Sequence, residues 1–371
     1  MEFKQVKIED VADVTKLAGF EFTKYIKYNE TGEIIALRAI NIRNNKLDLT
    51  DIKRIDKSIS ESLIRSKLYK DDIILTYTGN GAGAAAIIDE NDKYHLAPNI
   101  CKITPKEINP YYLYKYITSN KFQNEISNNI GGSGQPTIPM KTIRVLPISV
   151  PSRCNQTKIA KILKNIDDKI KLNNEINNNL HELEKNLYKE YFKDLDDTNT
   201  QKLGDLCKIK YGKGLPTTKI ETEGYPVYGG NGIIGYYHEF MYEESQVLIS
   251  CRGAASGNVI VSKPHSFVTN NSLILECDKK YHHYLKQYSL DNYYYEYTTG
   301  SAQPQITIDN IKDIALNIPS EELLDKFNKQ MEPLENKYFS NLEENKKLSQ
   351  LRDTLLPKLM NGEIDLDNIE I

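Results

Sequence analysis

Two stretches of the chain repeat apolar residues at helical spacing for about forty residues each. In residues 152–192 the repeating positions are Ile159, Ile162, Leu163, Ile166, Ile170, Ile176, Leu180, Leu183 and Leu187. A helix of that length is a rod about 60 Å long at ~1.5 Å per residue. Residues 320–361 repeat the pattern with Leu323, Leu324, Phe327, Leu334, Tyr338, Leu342, Leu348, Leu351, Leu355 and Leu359. Pro333 predicts a kink in the first third of this second helix, and Asn361-Gly362 predicts its end. Apolar stripes this long ask for helical partners. The alternatives are two surface helices lying each on its own domain, or two rods paired antiparallel. We expect the pair, acting as a spacer between two globular units.

The segments between the rods read as mixed helix and strand. Ile73–Thr78 and Val247–Ser250 are short apolar runs of strand length, each entering a glycine-rich turn. Residues 109–126 read as one helix, capped by Asn109 with Pro110 at its first position. Tyr281–Tyr288 reads as a similar aromatic helix, and Ile143–Val150 and Ile311–Ile318 read as closing strands.

These features occur twice because the chain is an imperfect repeat. Gly132-Ser133-Gly134-Gln135-Pro136-Thr137-Ile138 matches Gly300-Ser301-Ala302-Gln303-Pro304-Gln305-Ile306 at an offset of 168, and the same offset pairs Pro151 with Pro319, Leu180 with Leu348, Leu183 with Leu351 and Leu187 with Leu355. Upstream, Asp72–Gly83 aligns with Gln246–Gly257, and Lys7–Val11 with Lys202–Leu206. Each half is one mixed globular segment followed by one long helix.

Composition narrows the class. The chain has 371 residues, 39% hydrophobic and 27% charged, with a formal net charge of −3. That describes an ordinary folded protein of two or three domains and excludes a uniformly basic nucleic-acid binder. The charge is graded along the chain: 21 basic against 18 acidic side chains in residues 1–150, and 7 against 12 in residues 320–371. Local basic surfaces remain compatible with nucleic acid. No apolar run approaches the ~20 residues of a membrane helix, and the charged N-terminus has no signal-peptide core. The five cysteines are scattered and form no CxxC pair. We therefore expect a reducing, cytoplasmic setting with neither a disulfide framework nor a zinc site.

Catalytic chemistry is mostly missing. Gly79-Asn80-Gly81-Ala82-Gly83 lacks GxGxxG spacing and a Walker lysine, so it reads as a structural turn. Asn109-Pro110-Tyr111-Tyr112 resembles the Asn-Pro-Pro-Tyr loop of amino-methyltransferases but lacks the second proline and any companion glycine motif, and is better read as a helix cap. The six histidines show no HxxxH pair and no cysteine at ligand spacing, so no metal and no cofactor is expected. No nucleophile–base set can be assembled. Polar residues with bidentate groups do cluster at turns: Arg38, Asn41, Arg43, Asn44, Thr78, Asn80 and Gln135 in the first half, and Tyr228, Asn231, Arg252, Asn270, Asn271, Gln303 and Gln305 in the second. Arg pairs with guanine and Asn or Gln with adenine in the major groove. Lys53, Arg54, Lys141, Lys213 and Lys263 are candidates for phosphate contacts. Two similar readers on a spacer imply two short DNA sites a set distance apart.

The sequence closely resembles the specificity (S) subunit of type I restriction–modification enzymes over nearly its whole length. The most specific stretches are Pro151–Phe192, with Ile166-Asp167-Asp168-Lys169-Ile170, and Leu351–Ile364. The resemblance implies an α+β fold. Target recognition domains at 1–150 and 197–319 would be separated by helices at 151–196 and 320–371, which form an antiparallel coiled coil with an internal pseudo-twofold repeat. It also implies a non-catalytic subunit that reads a bipartite double-stranded DNA site, one domain per half-site. That subunit would dock two methyltransferase (M) subunits, which supply S-adenosylmethionine for adenine N6 methylation, and restriction (R) subunits would complete the enzyme. The chain departs from the pattern at Pro333, which interrupts the second helix, and at Ala302 and Gln305 in the second turn. The alternatives from the residues themselves are a stand-alone methyltransferase or nuclease with degenerate motifs, or a helical scaffold that binds no DNA.

Overall fold

Ile73–Thr76 and Val247–Ser250 are both fully buried strands, and each becomes a central strand of a four-stranded antiparallel sheet. The computed structural model describes residues 2–132, 134–195, 199–292, 294–300 and 303–366. Ser133, Ser301 and Ala302 of the two Gly-Ser turns, and the predicted boundary at 196/197, lie outside the described residues.

The chain divides into two compact units, 1–171 with 345–371, and 172–344. In the first, the main sheet has the order Ala12–Lys16, Ile100–Pro105, Ile73–Thr76, Ala85–Ile87, all antiparallel. In the second the order is Cys207–Tyr211, Ser272–Cys277, Val247–Ser250, Val259–Val261, again antiparallel. Each unit adds a further sheet holding one parallel pair, Ile34–Leu37 with Tyr94–Leu96 in the first and Tyr225–Gly229 with Phe267–Val268 in the second. Each also pairs its first strand with its closing strand, Lys4–Lys7 with Pro147–Val150 and Thr200–Lys202 with Ala315–Asn317. The repeat read from short sequence matches is thus a repeat of topology.

Three local expectations are corrected. Residues 109–126 form two helices, Pro110–Ile117 and Asn120–Asn128, because the Ser119 side chain accepts from the Phe122 N–H and starts a second helix. The closing strands are shorter than predicted; Met140–Val145 and Ile308–Ile311 are helical turns ahead of them. The aromatic helix of the second half is longer than predicted, Lys279–Asp291, capped by the Asp278 side chain. Asn109 caps its helix as expected, accepting from Tyr111 and Tyr112 N–H.

The two long helices run Arg153–Phe192 and Glu321–Asn361. The second passes through Pro333 without a break. Pro333 and Lys329, whose carbonyl loses its intrahelical donor, both lie on the exposed face, so that carbonyl is open to solvent. The helix ends at Gly362, at φ 75°, with Glu363 N–H donating to the Lys358 carbonyl at 2.9 Å. That is the left-handed cap foreseen for Asn361-Gly362.

Within each unit the two helices lie side by side and antiparallel. In the first unit Ile159 and Leu163 share a core with Leu359 and Met360, and Arg352 donates to Asp167 at 3.1 Å. In the second, Asn173 meets Glu344 and Asn177 meets Asn341, both at 2.8 Å, and Phe192 packs on Phe327. As one residue number climbs the other falls. The periodic reading fails at particular places. Leu183 and Leu351, matched in the repeat, are 44% and 47% exposed, whereas Asn173, Asn177, Glu184 and Asn341 are buried.

A buried amide pair in a helix seam favours one register at some cost in stability. Asn341→Leu should therefore cost about 1–3 kcal/mol by stranding the Asn177 amide oxygen, and Asn177→Leu with Asn341→Leu should recover most of it. Denaturant unfolding of the two single variants and the double checks this; additive losses would contradict it.

Candidate nucleic-acid interface

Each glycine turn is clipped by the Gly-Ser-x-Gln-Pro turn of its own half. In the first unit Gly79 N–H donates to the Pro136 carbonyl at 2.8 Å and Ile138 N–H to Tyr77 at 2.8 Å. In the second, Gly253 N–H donates to Pro304 at 2.9 Å and Ile306 N–H to Cys251 at 3.1 Å. Both turns require glycine at their start. Gly132 and Gly300 have φ of 98° and 86°, and a Cβ there would stand 2.7 and 2.9 Å from the carbonyl oxygens of Gln135 and Gln303.

This clipping brings together polar residues distant in sequence. Thr78, Asn80 and Gln135 form one group, with Asn80 and Gln135 exposed. Arg252, Gln303 and Gln305 form the corresponding group, all exposed, with Arg252 bridged to Gln305. Asn270 and Asn271 join it through backbone contacts with Cys251, and the Gly230 turn beside Asn231 lies against Asn271. Arg252 has no ion pair among the described residues. Lys213 is exposed and bridged to Thr269, next to Asn270, and Lys141 is exposed just after the first clip. Lys263 is half-buried, its N–H donating to the Tyr228 hydroxyl.

A second presenting element is a hairpin, Ile42–Arg43 with Lys46–Leu47. Asn44 and Asn45 have φ of 51° and 55°, the left-handed pair such a two-residue turn needs. The Asn45 side chain accepts from Ala85 N–H, and Tyr114 donates its hydroxyl to the Asn45 carbonyl, so the hairpin is fixed to sheet and helix. Arg43 is 60% exposed and ion-paired with Asp48 at 3.1 Å. Thr50 hydroxyl and N–H bonds, with Arg43 adding to them, hold the Asp48 carboxyl below its ordinary range. Lys53 is exposed and Arg54 half-buried on an edge strand beside an open groove of about 290 Å³.

Burial removes some residues from the candidate list. Asn41 is 1% exposed, donating to the Asp48 and Asp51 carbonyls and accepting from Arg38 N–H. Arg38 is tied to the carboxylate and carbonyl of Asp51. Tyr228 is 4% exposed. Asn41 and Tyr228 shape the loops from within, whereas the Arg38 side chain stays 24% exposed beside Asp51. Polarity suggested surface, but backbone carbonyls inside a loop also need donors. The sequence reading also passed over Lys46, exposed on the hairpin, and Ile233 and Ile234, an exposed aliphatic pair beside Asn231.

Buried ion clusters fasten the long helices to the globular segments. In the first unit the Asp167 carboxylate takes Lys115, the Tyr111 hydroxyl at 2.5 Å and Arg352. In the second, Lys286 lies 3.1 Å from Glu184 and 2.9 Å from Glu335. Burial pushes the Asp167 carboxyl up, but Lys115, Tyr111 and Arg352 outweigh it and hold it low. Lys115 itself is pulled below the lysine range by burial, which its single carboxylate does not overcome. Burial lowers Lys286 too, yet its two carboxylates carry it above that range.

Comparison with known proteins agrees with this architecture. Residues 1–182 and 196–351 match the family described as type I restriction modification DNA specificity domain. The type I restriction enzyme MjaIX specificity subunit of Methanocaldococcus jannaschii is 26% identical over 70% of this chain and 69% of its own length. The HindI specificity subunit of Haemophilus influenzae is 22% identical over 98% of this chain and all of its own. The crystal structure of a type I restriction–modification S subunit from M. genitalium shares the fold with a TM-score of 0.64 at 18% identity, covering 97% of this chain and 96% of that one.

Proposed function

Because the chain belongs to the type I restriction modification DNA specificity family, we propose that it reads a bipartite duplex, with each recognition segment contacting one half-site. The observation that carries this is the duplicated clip: Thr78, Asn80 and Gln135 in one half, and Arg252, Gln303 and Gln305 in the other, presented from the same topology. The chain is a specificity subunit, the recognition part of such a system and not its catalytic part. Among the described residues no helix is long and apolar enough to cross a membrane, and we assign the protein to the cytoplasm with its DNA.

The residues offered for base contact are Arg43, Asn44, Thr78, Asn80 and Gln135 in the first half. Asn231, Arg252, Asn270, Asn271, Gln303 and Gln305 serve in the second. Lys53, Arg54, Lys141, Lys213 and Lys263 hold phosphates. The long helices set the interval between half-sites and dock two methyltransferase subunits, which carry S-adenosylmethionine and methylate adenine N6; restriction subunits join that complex. Leu183 and Leu351, exposed at matching positions of the repeat, fit the two docking surfaces.

The test is binding of the chain, with methyltransferase subunits, to duplexes selected from a random pool. Arg252→Ala should cost about 1–3 kcal/mol and relax one base position of one half-site. Lys213→Ala should weaken all duplexes alike and reduce the salt slope by about 1. Methyl transfer by the chain alone, or binding with no sequence preference, would overturn the reading.

A further inference from the structure

We propose that His282, His283 and Glu335 form a binding site for a divalent transition-metal ion, with zinc as its type. The ion would clip the helix Lys279–Asp291 to the C-terminal helix within the second unit. Each residue offers one ligand atom, and the three atoms all lie within 4.8 Å of one another. For any three points that close, some position lies within about 2.8 Å of all of them. Side-chain shifts of less than about 1 Å then reach the ~2.0–2.2 Å of zinc bonds to imidazole and carboxylate.

Three further observations point to a ligand. His283 is 8% exposed, and its buried Nδ1 has no hydrogen-bond partner. An orphaned buried polar atom is unfavourable, and a metal bound through it would give it a partner. The local charge invites a cation, because Glu184 and Glu335 face the single ammonium of Lys286. Lys286 engages Oε1 of Glu335, and His282 Nε2 lies 3.9 Å from that same oxygen. Beside the cluster is a cavity of about 430 Å³, lined in part by Ser245, Gln246, Asn328 and Glu332. It provides an entry path and room for water as a fourth ligand, and the Ser245 hydroxyl already lies 3.0 Å from His282 Nε2. Two imidazoles with a carboxylate and an open position suit zinc and its neighbours better than magnesium or calcium.

The first unit shows what fills the corresponding place when no such site is built. At the offset of 168 Glu335 corresponds to Asp167, whose carboxylate is taken up by Lys115, Tyr111 and Arg352. No histidine stands in that helix, Pro110–Ile117. The expectation of no metal rested on spacing along the chain, and the fold brings the third ligand from another helix.

The test uses the full, untagged chain after chelator treatment, titrated with Zn²⁺ against a chromophoric competitor. One ion per chain should bind, and Co²⁺ in its place should give the visible absorption of a histidine-ligated tetrahedral site. Loss of a mere second-shell partner commonly lowers metal affinity 10–100-fold, so His282→Ala with His283→Ala should lower it by more than about 100-fold. Those substitutions spare the Lys286 ion pairs, and unchanged circular dichroism shows that the fold is kept. His238→Ala, at an exposed histidine elsewhere in the unit, should leave the affinity as it was. Absence of stoichiometric uptake, or a double variant that binds as the native chain does, would overturn the proposal.

Discussion

Lys286→Met is expected to destabilise the second unit by about 3–5 kcal/mol at neutral pH, the usual penalty for breaking a buried ion pair from one side. Methionine keeps much of the volume and removes the cation. Glu184 and Glu335 are then left with side chains 2% and 14% exposed and no ammonium between them. For a unit of this size the loss corresponds to roughly 10 °C in Tm. The pH dependence separates this account from a packing defect. In the native chain burial pushes both carboxyls up. His181 and His282, 3.8 and 3.9 Å from these carboxylates, with the charge of Lys286, more than reverse that, so both groups titrate below the ordinary glutamate range. Their folded pKa values are depressed. The stability they contribute is therefore present above the unfolded value of about 4.3 and is lost as pH falls below it. In the metal-free chain without Lys286, burial is opposed only by the histidines and Gln287, the carboxyl pKa values rise, and protonation relieves the variant. The difference from the native chain should be large at pH 8 and smaller at pH 5 when measured by thermal unfolding. An equal difference at both would contradict the electrostatic account.

Exchange of residues 1–150 for the corresponding segment of another family member should change one half-site and leave the other unaltered. Each recognition segment carries its own sheets, its own glycine clip and its own core. Within the first, Tyr112 donates to the Ser149 carbonyl at 2.6 Å, and within the second Tyr284 donates to Asn317 at 2.6 Å. The same helix-to-closing-strand tie is thus made twice, from separate residues. Energetically independent segments should contribute independently to base preference. The specificity change should be large, because each lost base contact costs about 1–3 kcal/mol and several are replaced together. Selection of preferred duplexes from a random pool reads the outcome, and loss of preference in both halves would argue against modular reading.

How much of this was legible in the sequence follows from which interactions leave a local trace. The long helices were legible because apolar residues recur every three or four positions, and the glycine stop at Gly362 because only a left-handed cap explains that pair. The middle of the helix pair was not. Asn177 and Asn341 are buried by bonding to each other, while Leu183 and Leu351 face outward, and hydrophobic period ranks these four the other way. The repeat was legible from its turns, since Gly132 and Gly300 are forced by backbone geometry. At the candidate interface, Arg252, Gln303 and Gln305 are candidates by residue type and turn position, and the fold brings them together. Asn41 and Tyr228 are buried instead, Asn41 by donating to carbonyls of its own loop and Tyr228 by accepting from the distant Lys263 N–H. The Lys115–Asp167–Arg352 and Glu184–Lys286–Glu335 clusters left no signal, because their members come from three separate parts of the chain.

If the long helices fix the interval between two half-sites, their length should set it. Four residues inserted between Asp167 and Leu180 add about 6 Å of helix, at most roughly two base pairs of DNA. The preferred duplex of the lengthened chain with methyltransferase subunits should keep both half-sites and gain one or two base pairs between them. An unchanged gap, or altered half-sites, would contradict the account.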